Sequence, residues 1–228
     1  MSAAFFVTGT DTEIGKTTIA AGLLHAARLA GLSTAAVKPV ASGCQRSPGG
    51  LRNEDALALQ AQCSLPLSYD EVNPFAFEPA IAPHLAAREA QVRLSVAALA
   101  EAVQRVLARQ ACFTLVEGAG GWRVPLSGTG NLSDLVVRLQ LPVVLVVGVR
   151  LGCINHAVLT AEAIERDGLR LAGWVANVVD PATSRLEENL GTLAERLDAP
   201  CLGRVPYLAD ATPEQVAPFL DLGQLRMA

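Results

Sequence analysis

Short apolar runs alternate with amphipathic segments along most of the chain. The apolar runs are continuous, which is typical of strands that are covered on both faces of a parallel sheet. Amphipathic segments separate them, and this alternation indicates strand–helix units. The predicted strands cover residues 4–8, 34–40, 113–117, 142–149, 172–178 and 201–205.

The helix signals have recognisable ends. In the first predicted helix, Ile19 and Leu23 lie on one face, and Gly31 ends the segment. Ser95 is placed to cap the helix predicted at residues 95–110. Residues 65–93 are expected to be irregular, because four prolines interrupt them. The pattern therefore predicts an α/β fold in a single domain, residues 1–228, with a mostly parallel sheet and helices on both faces. The predicted helices cover residues 17–30, 51–62, 95–110, 155–167 and 184–197.

Composition narrows the class of protein. The chain has 228 residues, 51% of them hydrophobic, which suits one compact domain. The net charge is −4 and aromatic residues make up 4%, so we expect no nucleic-acid groove. No apolar run reaches the roughly 18 residues of a membrane span, and no secretory signal is visible.

The reactive side chains are scattered. The five cysteines form no C-x-x-C pair, which favours a reducing, cytoplasmic compartment and buried free thiols. The three histidines, His25, His84 and His156, are not spaced as a metal site, so a structural role is preferred for each.

A phosphate-binding loop follows the first predicted strand. Gly15-Lys16-Thr17 matches the end of the pattern G-x-x-x-x-G-K-[ST], but Thr10 occupies the position of its first glycine and Gly9 lies one residue too early. The strand before the loop and the helix after it still place backbone N–H groups and a helix dipole around an anion. We therefore predict a P-loop NTPase-like fold with a loop one residue longer than usual.

Two acids and a second lysine are candidates for the same site. Glu117 ends a predicted strand and precedes a glycine run, where open α/β sheets bind ligands. Asp55 could equally be a solvated acid in the first turn of a helix, and Lys38 could equally be a surface lysine. These residues indicate phosphoryl transfer or hydrolysis that depends on a Mg²⁺ nucleotide.

Six segments make the chain similar to a known family. "FVTGTDTEIGKT", "KPVASG", "LRNEDALALQ", "LVEGAGGW", "VVGVRLGCINHA" and "LAGWVANVV" occur in this order between about Phe5 and Leu208. They closely resemble the dethiobiotin synthetases, homodimeric ligases of biotin biosynthesis that use ATP and magnesium. The resemblance implies that diaminopelargonate reacts with CO₂ to a carbamate, which ATP phosphorylates to a carbamic–phosphoric anhydride. The second amine then closes the ureido ring and releases phosphate.

The resemblance also implies a role for each matching residue. Lys38, Lys16 and Thr12 would act at the reacting centre, while Thr17, Asp55 and Glu117 would coordinate Mg²⁺. Ser42 would help to bind the diamine or its carbamate, and residues 152–155 would bind the substrate carboxylate from the neighbouring subunit. The implied ATP-binding residues are Glu13, Ile14, Gly15, Lys16, Thr17, Thr18, Asp55, Glu117, Gly118, Ala119, Gly120, Asn177, Val178, Pro206, Tyr207 and Leu208, and the carboxylate-binding residues are Gly152, Cys153, Ile154 and Asn155.

The base-binding segment departs from the family pattern. Some relatives carry an acid where this chain has Val178, so we expect base contacts there through the backbone. Asn177 and Asp180 also outline the N-K-x-D guanine motif, but the lysine is missing and GTP is not favoured.

Two other functions are known for this fold class. Cobyrinic acid diamide synthetases carry an additional amidotransferase domain, for which this chain has no room. A dimeric ATPase switch of the partition or division-site type would carry a lysine near the start of the loop, where this chain has Gly9-Thr10-Asp11. Neither alternative fits the loop and the length as well as the synthetase does.

Overall fold

Strands and helices alternate in the structure, a computed structural model that describes residues 2–128, 130–209 and 211–225. The strands are β1 (Ala3–Gly9), β2 (Thr34–Val37), β3 (Val40–Ala41), β4 (Gln45–Ser47), β5 (Gly50–Arg52), β6 (Phe75–Ala76), β7 (Phe113–Glu117), β8 (Val143–Val149), β9 (Leu171–Val178) and β10 (Cys201–Val205). The α-helices are α1 (Lys16–Leu29), α2 (Glu54–Ala61), α3 (Tyr69–Val72), α4 (Pro83–Glu89), α5 (Val96–Leu107), α6 (Leu132–Leu139), α7 (Cys153–Arg166), α8 (Leu186–Arg196) and α9 (Pro213–Val216). Two 3₁₀ helices follow, Ala217–Phe219 and Leu222–Gln224.

Six parallel strands form the central sheet, in the order β10-β9-β8-β1-β7-β2. After β1 the chain moves outward to β2, returns to β7 and then crosses to β8 on the other side of β1. The strand order therefore reverses at β1, and open α/β sheets bind ligands at the carboxyl ends of the strands beside such a point. The phosphate loop leaves β1 at this position.

The sheet is covered on both faces, as the continuous apolar runs predicted. Phe5 and Val7 of β1 pack with Ile19 and Leu23 of α1, whereas Phe6 belongs to the hydrophobic cluster on the opposite face. Successive side chains of a strand point to opposite faces, so one strand supplies both clusters. The predicted α/β class and mostly parallel sheet are confirmed.

Three predicted elements have boundaries that differ clearly from the observed ones, and one of them is the helix predicted at residues 95–110, which ends at Leu107. The strand predicted at residues 34–40 ends at Val37, because Pro39 has no N–H to donate to a neighbouring strand. The helix predicted at residues 51–62 begins only at Glu54, because the Asn53 side chain accepts a hydrogen bond from the Ala56 N–H and caps it. Leu51 lies instead in the short hairpin of β4 and β5.

Several short elements were missed. The segment 65–93 was predicted to be irregular, but it contains α3, β6 and α4. Helix α6 was also missed, although Asn131 and Asp134 form a capping box at its start that the sequence displays. Short elements carry too little periodicity to stand out from loops. No helix in the described part of the chain is long and apolar enough to cross a membrane.

The predicted cap of α5 is confirmed and gives a stability prediction. The Ser95 hydroxyl accepts a hydrogen bond from the Ala98 N–H over 3.1 Å. Ser95→Ala should lower the free energy of unfolding by about 1 kcal/mol, because that N–H loses its partner. Urea unfolding followed by circular dichroism measures this change. A variant as stable as the unchanged protein would show that the cap contributes nothing.

Candidate active site

The phosphate loop connects the end of β1 at Gly9 to the start of α1 at Lys16. Gly15 caps the helix with φ of 80°, and a Cβ at this position would collide with the side-chain amide of Asn177. Only glycine fits both the left-handed backbone and this contact. The Lys16 ammonium folds back over the loop and donates to the Asp11 carbonyl over 2.8 Å. The longer loop therefore keeps the glycine and the lysine that phosphate binding needs.

A buried lysine lies between two acids beside this loop. Strands β2 and β7 are paired with Val37 opposite Val116, so the next residues, Lys38 and Glu117, are neighbours. The Lys38 Nζ atom lies 2.6 Å from Glu117 Oε1 and 2.8 Å from Asp55 Oδ2. We call Lys38, Asp55 and Glu117 the acid–lysine cluster.

The acid–lysine cluster is adjacent to helix α1. The Thr17 hydroxyl donates to Glu117 Oε1 over 2.7 Å, so one carboxylate oxygen joins Thr17 and Lys38. Asp55, from the first turn of α2, is the only half-exposed member of the cluster, while Lys38 and Glu117 are buried. The interpretation of Asp55 as a merely solvated acid is therefore wrong. The interpretation of Lys38 as a surface lysine is wrong as well.

Charge pairing favours the ionised forms of Lys38 and Asp55. Burial alone would lower the pKa of Lys38, but the carboxylates of Glu117 and Asp55 outweigh burial and raise it above its usual value. Burial alone would raise the pKa of Asp55, but the Lys38 ammonium outweighs burial and lowers it. For Lys16, burial has a larger effect than the nearby carboxylates and lowers the pKa of the ammonium. Two ammonium groups, of Lys16 and Lys38, and two carboxylates, of Asp55 and Glu117, thus lie next to the phosphate loop.

The donor set suits a magnesium ion. Glu117 Oε2 is buried and has no hydrogen-bond partner, and it belongs to the same carboxylate that accepts from Thr17. Within the described residues no group of three His, Cys, Asp or Glu side chains could hold a metal ion. Magnesium at phosphate sites, however, takes one or two carboxylates and completes its shell with phosphate and water oxygens. Thr17, Asp55 and Glu117 supply that smaller set.

A cavity of about 350 Å³ opens above the loop and the acid–lysine cluster. A second cavity of about 670 Å³ shares six of the residues that line the first and extends to residues 80–83 and 123–125. These two segments were not predicted as part of the site, because they contribute mainly apolar side chains to the cavity wall. The first cavity is lined by Thr12, Glu13, Gly15, Lys16, Thr17, Thr18, Lys38, Ala41, Ser42, Asp55, Ala119 and Gly120.

A third cavity, of about 250 Å³, lies on the other side of the loop. Asn177, the second-last residue of β9, lines this cavity, and its Nδ2 donates to the Ile14 carbonyl over 2.8 Å. The same residue therefore lines the cavity and holds the loop. The third cavity is lined by Glu13, Gly15, Thr18, Asn177, Val178, Val179, Val205, Pro206, Tyr207, Leu208, Ala209 and Ala211.

Some predicted site residues lie apart from these cavities. The Ile14 side chain is buried, so only its backbone is available to a ligand. Gly118 packs against Phe6. In the described part of the chain, Gly152 to Asn155 line none of the three cavities and form the N-terminal end of α7. The remaining predicted residues are brought together as the sequence suggested.

The fold and the site together define a P-loop nucleotide-binding protein. Known structures of this fold class are similar in shape but distant in sequence. A ParA family ATPase from Chlorobium tepidum is 13% identical, with a TM-score of 0.56 over 97% of this chain and 92% of its own. The cell division protein MinD from Aquifex aeolicus is 14% identical, with a TM-score of 0.57 over 97% and 88%. These similarities show the fold alone.

Sequence comparison identifies the family. A family model described as "AAA domain" matches residues 3–215. The ATP-dependent dethiobiotin synthetase BioD of Pseudomonas paraeruginosa is 78% identical over 97% of both chains. The protein of the same name from Cellvibrio japonicus is 60% identical over the same share. The chain belongs to the ATP-dependent dethiobiotin synthetase family.

Proposed function

We propose that this protein is a ligase of biotin biosynthesis that forms the ureido ring of dethiobiotin from 7,8-diaminopelargonate, CO₂ and ATP. The observation that carries the proposal is the 78% identity over 97% of the chain to a dethiobiotin synthetase. The acid–lysine cluster beside the phosphate loop supports it, because phosphoryl transfer needs a positioned cation and carboxylates that can hold Mg²⁺ at that place.

The reaction has three steps. One amine adds to CO₂ and loses a proton to give a carbamate. The carbamate oxygen then attacks the γ-phosphorus of ATP, and the bond to the ADP oxygen breaks. The second amine attacks the carbonyl carbon of the mixed anhydride, loses a proton and expels phosphate. The protein holds the reactants together and stabilises the charge on the phosphoryl group.

The lysines and Thr12 act at the reacting centre in this proposal. Lys38 is held in place by its two acids and directs its charge into the cavity that it lines. Lys16 can leave the Asp11 carbonyl and turn to the terminal phosphates. Thr12 and Ser42 line the same cavity, and we assign Ser42 to the diamine or its carbamate.

Magnesium would be held by Thr17, Asp55 and Glu117. When bound, Mg²⁺ supplies a Lewis acid that neutralises phosphate charge. The free oxygen of Glu117 supports this assignment, because a buried carboxylate oxygen without a partner is costly unless a ligand satisfies it.

ATP would lie across the loop, with its phosphates above α1 and its base in the third cavity. Asn177 is proposed to recognise adenine, and Val178 to contact the base through its backbone. The nucleotide-binding set is Glu13, Ile14, Gly15, Lys16, Thr17, Thr18, Asp55, Glu117, Gly118, Ala119, Gly120, Asn177, Val178, Pro206, Tyr207 and Leu208.

A homodimer would complete the substrate site. Residues 152–155 begin a 14-residue helix, whose N-terminus attracts an anion such as the substrate carboxylate. Because they line none of the three cavities described above, the neighbouring subunit is proposed to supply them. Leu151 is 98% exposed beside them, which supports a contact there. We also propose that residues 1–228 form one synthetase domain, and the five free cysteines support the cytoplasm as its compartment.

The test is product formation. Purified protein is mixed with MgATP, bicarbonate and diaminopelargonate, and dethiobiotin and ADP are measured by mass spectrometry. Dethiobiotin that forms only when the diamine is present supports the synthetase. ATP hydrolysis without any ureido product would contradict it and favour an ATPase switch.

Asn177→Ala should raise the KM for ATP about tenfold, because the loop loses the hydrogen bond to the Ile14 carbonyl and the base loses a contact. Initial rates at varied ATP measure the change. Asn189→Ala is the control, since the Asn189 amide on α8 donates to the Ser184 carbonyl in the turn before that helix. An unchanged KM for ATP in Asn177→Ala would remove Asn177 from the nucleotide site.

A further inference from the structure

A buried tyrosine connects the two segments that carry Lys38 and Asp55. Tyr69 begins α3, and its side chain is buried. Its hydroxyl accepts a hydrogen bond from the Asn53 N–H over 2.7 Å and donates one to Asn73 Oδ1 over 3.0 Å. The hydroxyl therefore uses both a donor and an acceptor function inside the core.

The first of these bonds leads to Asp55. Asn53 is the N-cap of α2, and its Oδ1 accepts from the Ala56 N–H over 3.2 Å. Asp55 is the second residue of that helix. Because the Tyr69 hydroxyl fixes the backbone of Asn53, it fixes where α2 begins and where the Asp55 carboxylate points.

The second bond leads to Lys38. The Asn73 Nδ2 donates to the Lys38 carbonyl over 2.7 Å, and the Lys38 N–H donates to the Val72 carbonyl over 2.7 Å. Both backbone polar groups of Lys38 are thus held by the end of α3. The ion pair between Lys38 and Asp55 completes a closed ring of contacts. At the opposite side of this ring, the Tyr69 hydroxyl joins Asn53 to Asn73.

The ring of Tyr69 is itself fixed. The Arg52 guanidinium lies over it, with the Cζ atom 4.1 Å from the ring centre. Asn53 and Asn73 are also buried, so neither can exchange its partner for water at low cost. Such a fully satisfied buried network rigidifies the groups that it joins.

We propose that Tyr69 is a positioning residue for the reaction: its hydroxyl sets the position of Lys38 relative to Asp55 through Asn73 and Asn53. Tyr69 touches no reactant, and it acts through the acid–lysine cluster. The proposal rests on the proposed synthetase function for its kinetic test and on the structure alone for its spectroscopic test.

The kinetic test uses Tyr69→Phe, which removes only the hydroxyl. The turnover number should fall about 10-fold to 100-fold, because small displacements of a catalytic group have effects of this size. The KM for ATP should change less than the turnover number, since Tyr69 lines neither the cavity above the phosphate loop nor the third cavity. In a Lys38→Ala background the same substitution should cost less than about twofold, since no ion pair remains to be positioned.

The spectroscopic test exploits the lysine content of the chain, which has two lysines, Lys16 and Lys38. Protein labelled with ¹³C at the lysine Cε gives one signal for each, and Lys38→Ala assigns them. Tyr69→Phe should shift the Lys38 signal and leave the Lys16 signal in place. Ser95→Ala is the control for a general loss of stability and should move neither signal.

Asn73→Ala is the second variant, in case Tyr69→Phe does not fold. It breaks the bond to the Lys38 carbonyl while the bond from Asn53 to Tyr69 remains, and it should lower turnover similarly. Unchanged turnover, or lost turnover with an unmoved Lys38 signal, would overturn the proposal. If the unchanged protein forms no dethiobiotin, the synthetase function fails, while the shift of the Lys38 signal still decides whether Tyr69 positions this lysine.

Discussion

Lys38→Ala is expected to lower the turnover number for dethiobiotin formation by about 10²-fold to 10³-fold, the usual effect of removing one preorganised electrostatic contact to a transition state. The buried ammonium is held 2.6 Å from Glu117 and 2.8 Å from Asp55, so it needs no reorganisation when negative charge develops on the phosphoryl group. Alanine leaves the two carboxylates with no cation between them, and they would then repel the phosphates. Initial rates with diaminopelargonate, bicarbonate and MgATP measure this loss.

Two comparisons make the Lys38 result interpretable. Lys38→Arg keeps the charge but replaces a compact ammonium with a planar fork that does not fit between two acids, so partial activity is expected. Urea unfolding of each variant separates lost chemistry from lost stability, because removing one partner of a buried ion pair destabilises the fold. A folded Lys38→Ala variant that retains turnover within about tenfold of the unchanged protein would exclude Lys38 from catalysis.

Glu117→Gln is expected to raise the Mg²⁺ concentration needed for half-maximal turnover by at least about 100-fold. Loss of an outer-shell partner already costs about 10-fold to 100-fold in metal affinity, and Glu117 is proposed to be a direct ligand. Glutamine keeps the shape of the side chain and removes its charge. Asp55 still pairs with Lys38 in this variant, so the lysine does not lose every acidic partner.

The Mg²⁺ titration needs a control variant in which an acid outside the candidate site is replaced in the same way. Glu101→Gln is suitable, because Glu101 is exposed on α5 and pairs with Arg105 in the same helix. This control should titrate like the unchanged protein. If Glu117→Gln also titrates like it, the free carboxylate oxygen of Glu117 does not bind magnesium, and the proposed ligand set fails.

The central strands could be read from the sequence because they are buried on both faces and continuous. β7 and β8 differ little from the predicted ranges, and Glu117 stands at the end of β7 where the pattern placed it. The short elements between residues 65 and 93 could not be read, since α3 has four residues and β6 has two. Elements of this length owe their form to the groups that they contact, and the sequence does not state those contacts.

The residues of the candidate site also fall into two groups, those that the local sequence specifies and those that only packing brings together. The phosphate loop is a local feature, in which Gly15, Lys16 and Thr17 follow a strand and begin a helix, so neighbouring residues are enough to specify it. The role of Asp55 is not local. Its position in the first turn of α2 is equally suited to a solvated acid, and only the packing of α2 brings its carboxylate to Lys38. The family resemblance supplied that assignment where residue chemistry could not.

The sequence by itself determined the class of fold, the phosphate loop and the acid at the end of β7, because these follow from burial, periodicity and backbone conformation over a few residues. Tertiary structure alone decided that Lys38 and Asp55, 17 residues apart, form an ion pair, and that the Tyr69 hydroxyl connects their segments. Hydrogen bonds and ion pairs of this kind form only when separate segments pack together, and no local pattern in the chain records which segments will meet.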